Sequence, residues 1–235
     1  MTSTGLQSVL RGKFFLCRPS TLFPYFSSPV FADIMEVDGG LYMKKFLICT
    51  LLFAALTPLF AKSYSIGDIG PGGGIVFYKS AEGFEVDDGM GFVQVCHYLE
   101  VSPEDLGATT WIPSEASFLE DLDNIYGIGA GKANTFLIAN AGLCPEDLTK
   151  ENCAAYVCSV YSTKTTSPGD WYLPSSDELK LIFKNLTLEQ LKCTSKDFYW
   201  SSSEEGEGSA WARKNKTSTI DSKNSKYLVR AIHAF

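Results

Sequence analysis

An uncharged apolar run, Phe46 to Ala61, lies well inside the chain and divides it before any fold is considered. Met43 and the positive pair Lys44-Lys45 precede it, and Lys62-Ser63-Tyr64 returns to polar sequence. Positive head, greasy body and small-residue exit, in that order, are what an export machine reads as a signal peptide. The run has 16 residues, short of the about 20 that span a bilayer. Pro58 interrupts it near the far end, so the reading is a removable leader over residues 43–61, not an anchor. Cleavage after Ser63, with Ala61 at minus three, fits the small-x-small rule better than cleavage after Ala61. No cysteine follows a small residue at the junction itself, which argues against a lipid anchor. Residues 1–42, including LFPYFSSPVF, show neither helical nor strand periodicity. They are expected to be an unstructured extension from a mistaken gene start, with translation beginning at Met43. Gly39-Gly40, two codons upstream, can be spelled as a ribosome-binding sequence. Residues 62–235 then form a single domain.

That domain carries 24 acidic and 15 basic side chains. Such a balance excludes nucleic acid and anionic membrane surfaces as general partners, because both are held by Lys and Arg against phosphate. The membrane is met only transiently, through the leader. Five cysteines remain after export: Cys96, Cys144, Cys153, Cys158 and Cys193. Outside the cytoplasm disulfides persist, and an odd count leaves at least one thiol over. Cys144 and Cys153 flank a short loop and are the easiest local pair, although sequence alone does not choose the connectivity. There is no CxxC, and the chain's two histidines are His97 and His233, so a zinc site is not expected.

The order of elements reads as α+β. YSIGDIGPGGGIVFYKS is a glycine-rich turn followed by a strand, and Asp88-Gly89 turns the chain back through Phe92 to Leu99. Helical spacing follows in SEASFLEDLDNIYG (Phe118, Leu119, Leu122, Ile125). It recurs in GKANTFLIANAG (Ala133, Phe136, Leu137, Ile138) and in EDLTKENCAAYVCSVYS. DWYLPSSDELKLIFKNL contains a capping box, Ser175 with Glu178, and a stripe of Leu179, Ile182, Phe183 and Leu186. FYWSSSE, SAWARKN and KYLVRAIHAF read as strands. An apolar last strand must be paired, and pairing it with the opening hairpin closes the domain.

GDIGPGGGIVFY, GKANT, AAYVC, DWYLPSSDEL, YWSSSE and VRAIHAF, in this order, resemble the Lcl C-terminal-domain family of bacterial collagen-like adhesins. The resemblance spans about Tyr64 to Phe235. It implies a C-type-lectin-like domain, export to the envelope or surface, and binding of a glycan or extracellular-matrix polymer. It supplies no catalytic residues.

Decoy motifs are weak. GIGAGKANT lacks the first glycine and the Ser/Thr of a phosphate loop. DLDNIYG lacks a calcium loop's oxygen ligand and glycine. No cofactor or metal is therefore expected. For a glycan ligand the candidates are Trp200 and Trp211, whose faces suit sugar rings, and the basic residues Arg213, Lys214, Lys216 and Arg230. Trp111 and Trp171 are read as core. Lys223 and Lys226 extend the basic stretch. Two rivals stand beside this reading: an exported enzyme pairing Cys96 or another thiol with His233, and a purely structural envelope protein. Cys96 and His97, adjacent on a strand, face opposite sides and make no dyad.

Overall fold

Strand formation begins where the glycine run stops. In the computed structural model, which describes residues 62–112, 119, 125–140 and 153–235, β1 (Ile75–Asp87) and β2 (Val93–Val101) form an antiparallel hairpin. The Asp88 carboxylate accepts the N–H groups of Met90 and Phe92 and sets the turn. Val86, Cys96, Leu99 and Val101 are buried.

β2 pairs on its other side with β9 (Ile232–Ala234), and β9 pairs with β4 (Trp171–Tyr172), giving the order β1-β2-β9-β4. The final strand thus joins the opening hairpin. A second sheet has the order β3-β8-β5-β6-β7: β3 (Ala108–Thr109), β8 (Tyr227–Leu228), β5 (Phe198–Glu204), β6 (Ser209–Lys214) and β7 (Thr217–Ser222). β5 and β8 run parallel; the other neighbours are antiparallel.

The expectation of one strand over KYLVRAIHAF is corrected: β8 and β9 belong to different sheets. Between them Val229 and Ala231 give their backbone hydrogen bonds to the segment Ser102–Gly107, including Ser102 N–H to Ala231 O at 2.8 Å and Leu106 N–H to Val229 O at 2.9 Å. These bonds take up the backbone groups that a continuous strand would have placed in one ladder.

Four helices lie among the described residues: α1 (Ala130–Asn140), α2 (Ala154–Ser159), α3 (Ser176–Asn185) and α4 (Leu188–Leu191). In α1 the buried face is Ala130, Asn134 and Ile138 with Gly131 and Thr135; of the apolar set read from the sequence Ile138 is buried, while Ala133, Phe136 and Leu137 are only partly so. Asn134 is drawn inward because its amide donates to Ile125 O and Ser202 Oγ. Phe136 instead packs over the hairpin turn at Gly89. The capping box of α3 forms as read, with Leu179, Ile182 and Phe183 buried. Most of the expected helix over SEASFLEDLDNIYG lies outside the described residues, as do residues 1–61 with the leader and extension. Among the described residues no helix is long and apolar enough to cross a membrane.

Two apolar clusters hold the unit Lys62–Phe235 together. One gathers Trp111, Ile138, Ala154, Trp171, Leu173 and Trp200; the other gathers Phe77, Leu99, Tyr172, Leu179, Phe183 and Ile232. The glycine run serves a close approach. Gly72 N–H and Gly74 N–H donate to the two oxygens of the fully buried Glu100 carboxylate at 2.8 and 2.7 Å, and His233 Nδ1 lies 2.8 Å from Oε1. A Cβ at Gly72 would sit 2.6 Å from Glu100 Oε1, and one at Gly74 would sit 2.5 Å from Val101 O.

Cys96, Cys153, Cys158 and Cys193 are free thiols. Cys144, the expected partner, lies outside the described residues; Cys153 stands at the start of α2. Its buried sulfur accepts Tyr156 N–H at 3.4 Å, capping α2, so the local geometry uses the thiol as a helix cap.

Candidate ligand-binding groove

β6 turns into β7 through Asn215 and Lys216, with Lys214 opposite Thr217. Asn215 takes the left-handed conformation, φ 47°, which asparagine tolerates better than most side chains. This tight turn sets the register of three strands: Phe198 on β5 lies opposite Lys214 on β6, which lies opposite Thr217 on β7. Cross-strand partners share a face, so an aromatic ring, an ammonium and a hydroxyl stand in one row. Thr219, two residues along β7, adds a second hydroxyl on that face.

The row borders an open groove of about 430 Å³ lined by Ser195, Phe198, Lys214, Asn215, Lys216, Thr217 and Thr219. Lys214 Nζ lies 4.9 Å from the centroid of Phe198, a cation–π contact of roughly 0.5–1 kcal/mol at a solvated site. Phe198 is in turn stacked on Tyr227 at 4.9 Å and 18°, and Tyr227 leans on Trp200 at 4.7 Å. The Tyr227 hydroxyl donates to the Asp221 carboxylate; burial and that partner raise the phenol's pKa while the bond lowers that of Asp221. The ring under the groove is therefore anchored from below. The lining contains two ammonium groups, three hydroxyls and a carboxamide but no carboxylate or imidazole. Such a surface can hold a polyhydroxylated or anionic ligand by hydrogen bonds, charge and ring contact; it offers no general base.

Of the six residues proposed from sequence, the structure brings Lys214 and Lys216 to this groove. Trp200 is 0 % exposed, with its indole N–H bound to Thr109 O at 3.0 Å, so it supports the floor and cannot stack on a ligand. Trp211 and Arg213 alternate with Lys214 on β6 and face the other side. Trp211 Nε1 donates to the Glu205 carboxylate at 2.8 Å, and Arg213 Nη1 to Ser218 Oγ at 2.7 Å. Burial of Arg213 lowers its pKa. Arg230 is buried away from the groove, bound through Nε to Asp105 at 2.7 Å and through Nη2 to Leu191 O at 2.8 Å. Lys223, part of the expected basic stretch, is buried against Glu204 and Trp111. Phe198, Ser195, Thr217 and Thr219 were not foreseen; the turn-forming Asn215 was the available signal, because a two-residue turn fixes the pairing.

Among the described residues, the rival reading's His233 is bonded to Glu100 and its thiols are free. Cys96 belongs to the second apolar cluster, where burial raises its pKa. His233 stands opposite Glu100 on β2 and is bonded to it. Burial likewise raises the thiols of Cys153 and Cys158.

No protein-family profile matches this chain, and no curated protein matches it. Among solved structures it is similar to a fimbrial protein from Bacteroides ovatus ATCC 8483. The identity is 16 % and the TM-score 0.42; the match covers 60 % of this chain and 36 % of that one. A likeness this distant assigns neither fold family nor role. The chain is a mixed α+β protein.

Proposed function

We propose that this protein is an exported, non-catalytic binding module of a bacterial envelope. Its ligand is an anionic, polyhydroxylated polymer of the glycosaminoglycan or envelope-polysaccharide kind, and its domain is C-type-lectin-like, as the resemblance to the Lcl C-terminal family implies. The observation that carries the reading is the row Phe198–Lys214–Thr217, with Lys216 at its end. It concentrates positive charge and an aromatic face in a domain whose overall charge is negative. Ligand is therefore steered to one place and repelled elsewhere. Contact with polymer is charge-dominated, so affinity falls as salt rises.

Isothermal titration of the mature protein with heparin, hyaluronan and a neutral glucan, at low and high salt, tests this. Binding of an acidic polymer that drops at least tenfold in the double variant K214E/K216E, and several-fold in F198A, supports the proposal. Failure of all three polymers to bind, or binding indifferent to K214E/K216E, removes it and leaves a structural envelope role.

A further inference from the structure

The β1–β2 hairpin projects past its neighbour. β9 pairs with β2 only at Leu99, Glu100 and Val101, and Phe235 O accepts the N–H groups of His97 and Tyr98 at 2.9 Å. Beyond that point nothing described covers the outer edge of β2.

The alternation of an antiparallel ladder says which groups are left. Asp88 N–H bonds to Phe92 O at 3.1 Å, making 88 and 92 a hydrogen-bonded pair. Val86–Gln94 and Phe84–Cys96 are then hydrogen-bonded pairs too, whereas Asp87–Val93 and Glu85–Val95 are not. The N–H and C=O groups of Val93 and Val95 therefore point away from β1, along the open edge. Their side chains are exposed as well, 48 % and 62 %, beside Phe92 at 65 % and Met90 at 73 %.

Protein edges are ordinarily blunted by charge, proline or a bulge. From Gly89 to Leu99 this chain has no Asp, Glu, Lys, Arg or Pro, and the hairpin's irregularities, between Val76 and Tyr78 and between Lys79 and Phe84, put the extra residues on β1. The acids Glu85 and Asp87 sit one strand away from the edge.

We propose that this edge is an interface for a second copy of the chain, with β2 adding antiparallel to β2 across a two-fold axis centred on Gln94. In that register Val93 exchanges both backbone hydrogen bonds with Val95 of the second copy, and the reverse pair repeats it, satisfying the open groups of both edges. The valines of both copies then lie on one face and bury one another. A second copy suits the edge because an isologous contact needs a self-complementary surface. An uncharged edge whose donors and acceptors repeat every second residue is one. The two hairpins become one four-stranded sheet.

The test is sedimentation equilibrium of the mature protein exported from cells carrying the full chain, over roughly 1 to 100 μM. The wild type is expected to dimerise. V95P removes an N–H that points outward, so it leaves the β1–β2 ladder whole while deleting two interface hydrogen bonds per dimer. The double variant V93K/V95K keeps every N–H but sets like charges against each other. Each should raise the dimer dissociation constant at least tenfold with an unchanged far-ultraviolet circular dichroism spectrum. A monomeric wild type over the whole range overturns the proposal, and so does a dimer that persists in V93K/V95K. If V95P alters the spectrum, the lysine variant decides.

Discussion

At the scale of single residues, two buried groups govern what the chain tolerates. Gly74 is held between Val101 O and the Trp171 ring, where a methyl would lie 2.5 and 2.9 Å away. Gly74→Ala must push a strand backbone or an indole out of place, and overpacking of this kind costs about 1–3 kcal/mol. A fall in thermal midpoint of several degrees, with Gly73→Ala as the spacious neighbour for comparison, checks it; Gly73 has nothing within 4 Å but carries a positive φ of 86°, so its own penalty is confined to backbone strain. Glu178 is the second case. Its carboxylate accepts Ser175 N–H at 2.7 Å and Gly129 N–H at 2.9 Å, yet burial outweighs these donors and raises its pKa from 4.5 to about 7. The folded state therefore binds a proton that the unfolded state has released. Stability from this group is full below pH 4.5, falls as pH rises towards 7 and is flat above. The change is roughly 3–4 kcal/mol. Denaturant midpoints of wild type and Glu178→Gln between pH 4.5 and 8 should converge or diverge by that amount; parallel curves would show that Glu178 does not titrate there.

At the scale of elements, the β6–β7 turn links stability to the groove. Asn215 has φ 47°, a region that costs a β-branched side chain about 1–2 kcal/mol. Asn215→Val should lower stability by that amount and weaken polymer binding, since Lys214 and Thr217 flank the turn, while Asn215→Gly should preserve both. Unfolding and titration of the same two variants separate the effects. Elements with local punctuation were legible. Ser175 with Glu178 marks the start of α3, and the same spacing in Thr187 with Gln190 marks α4, a signal passed over because four residues make a helix too short to show a period. β7 was missed because TSTIDS has one apolar residue, Ile220, half exposed. β4 was missed because two residues are paired by their neighbours, not by propensity.

At the scale of the molecule, the proposed function depends on export. N-terminal sequencing of the protein recovered from its own cells should begin at Lys62 or Tyr64, and a protein beginning upstream of Phe46 would remove the leader and the surface role together. The fold closes because its last strand returns to its first hairpin, a pairing the chain announces by ending its pattern on an apolar strand that needs a partner. Whether that pairing would carry the whole of KYLVRAIHAF was not written locally, and the structure splits the stretch between two sheets.

The sequence by itself settled the hairpin, the capped helix and the strands FYWSSSE and SAWARK, because each is specified by residues within a few positions of one another. Only the tertiary structure decided that Lys214 shares a face with Phe198 and Thr217 while Trp200 and Arg230 are buried. Strand register and burial are properties of residues distant in the chain, and a shift of one position exchanges the two faces of a strand.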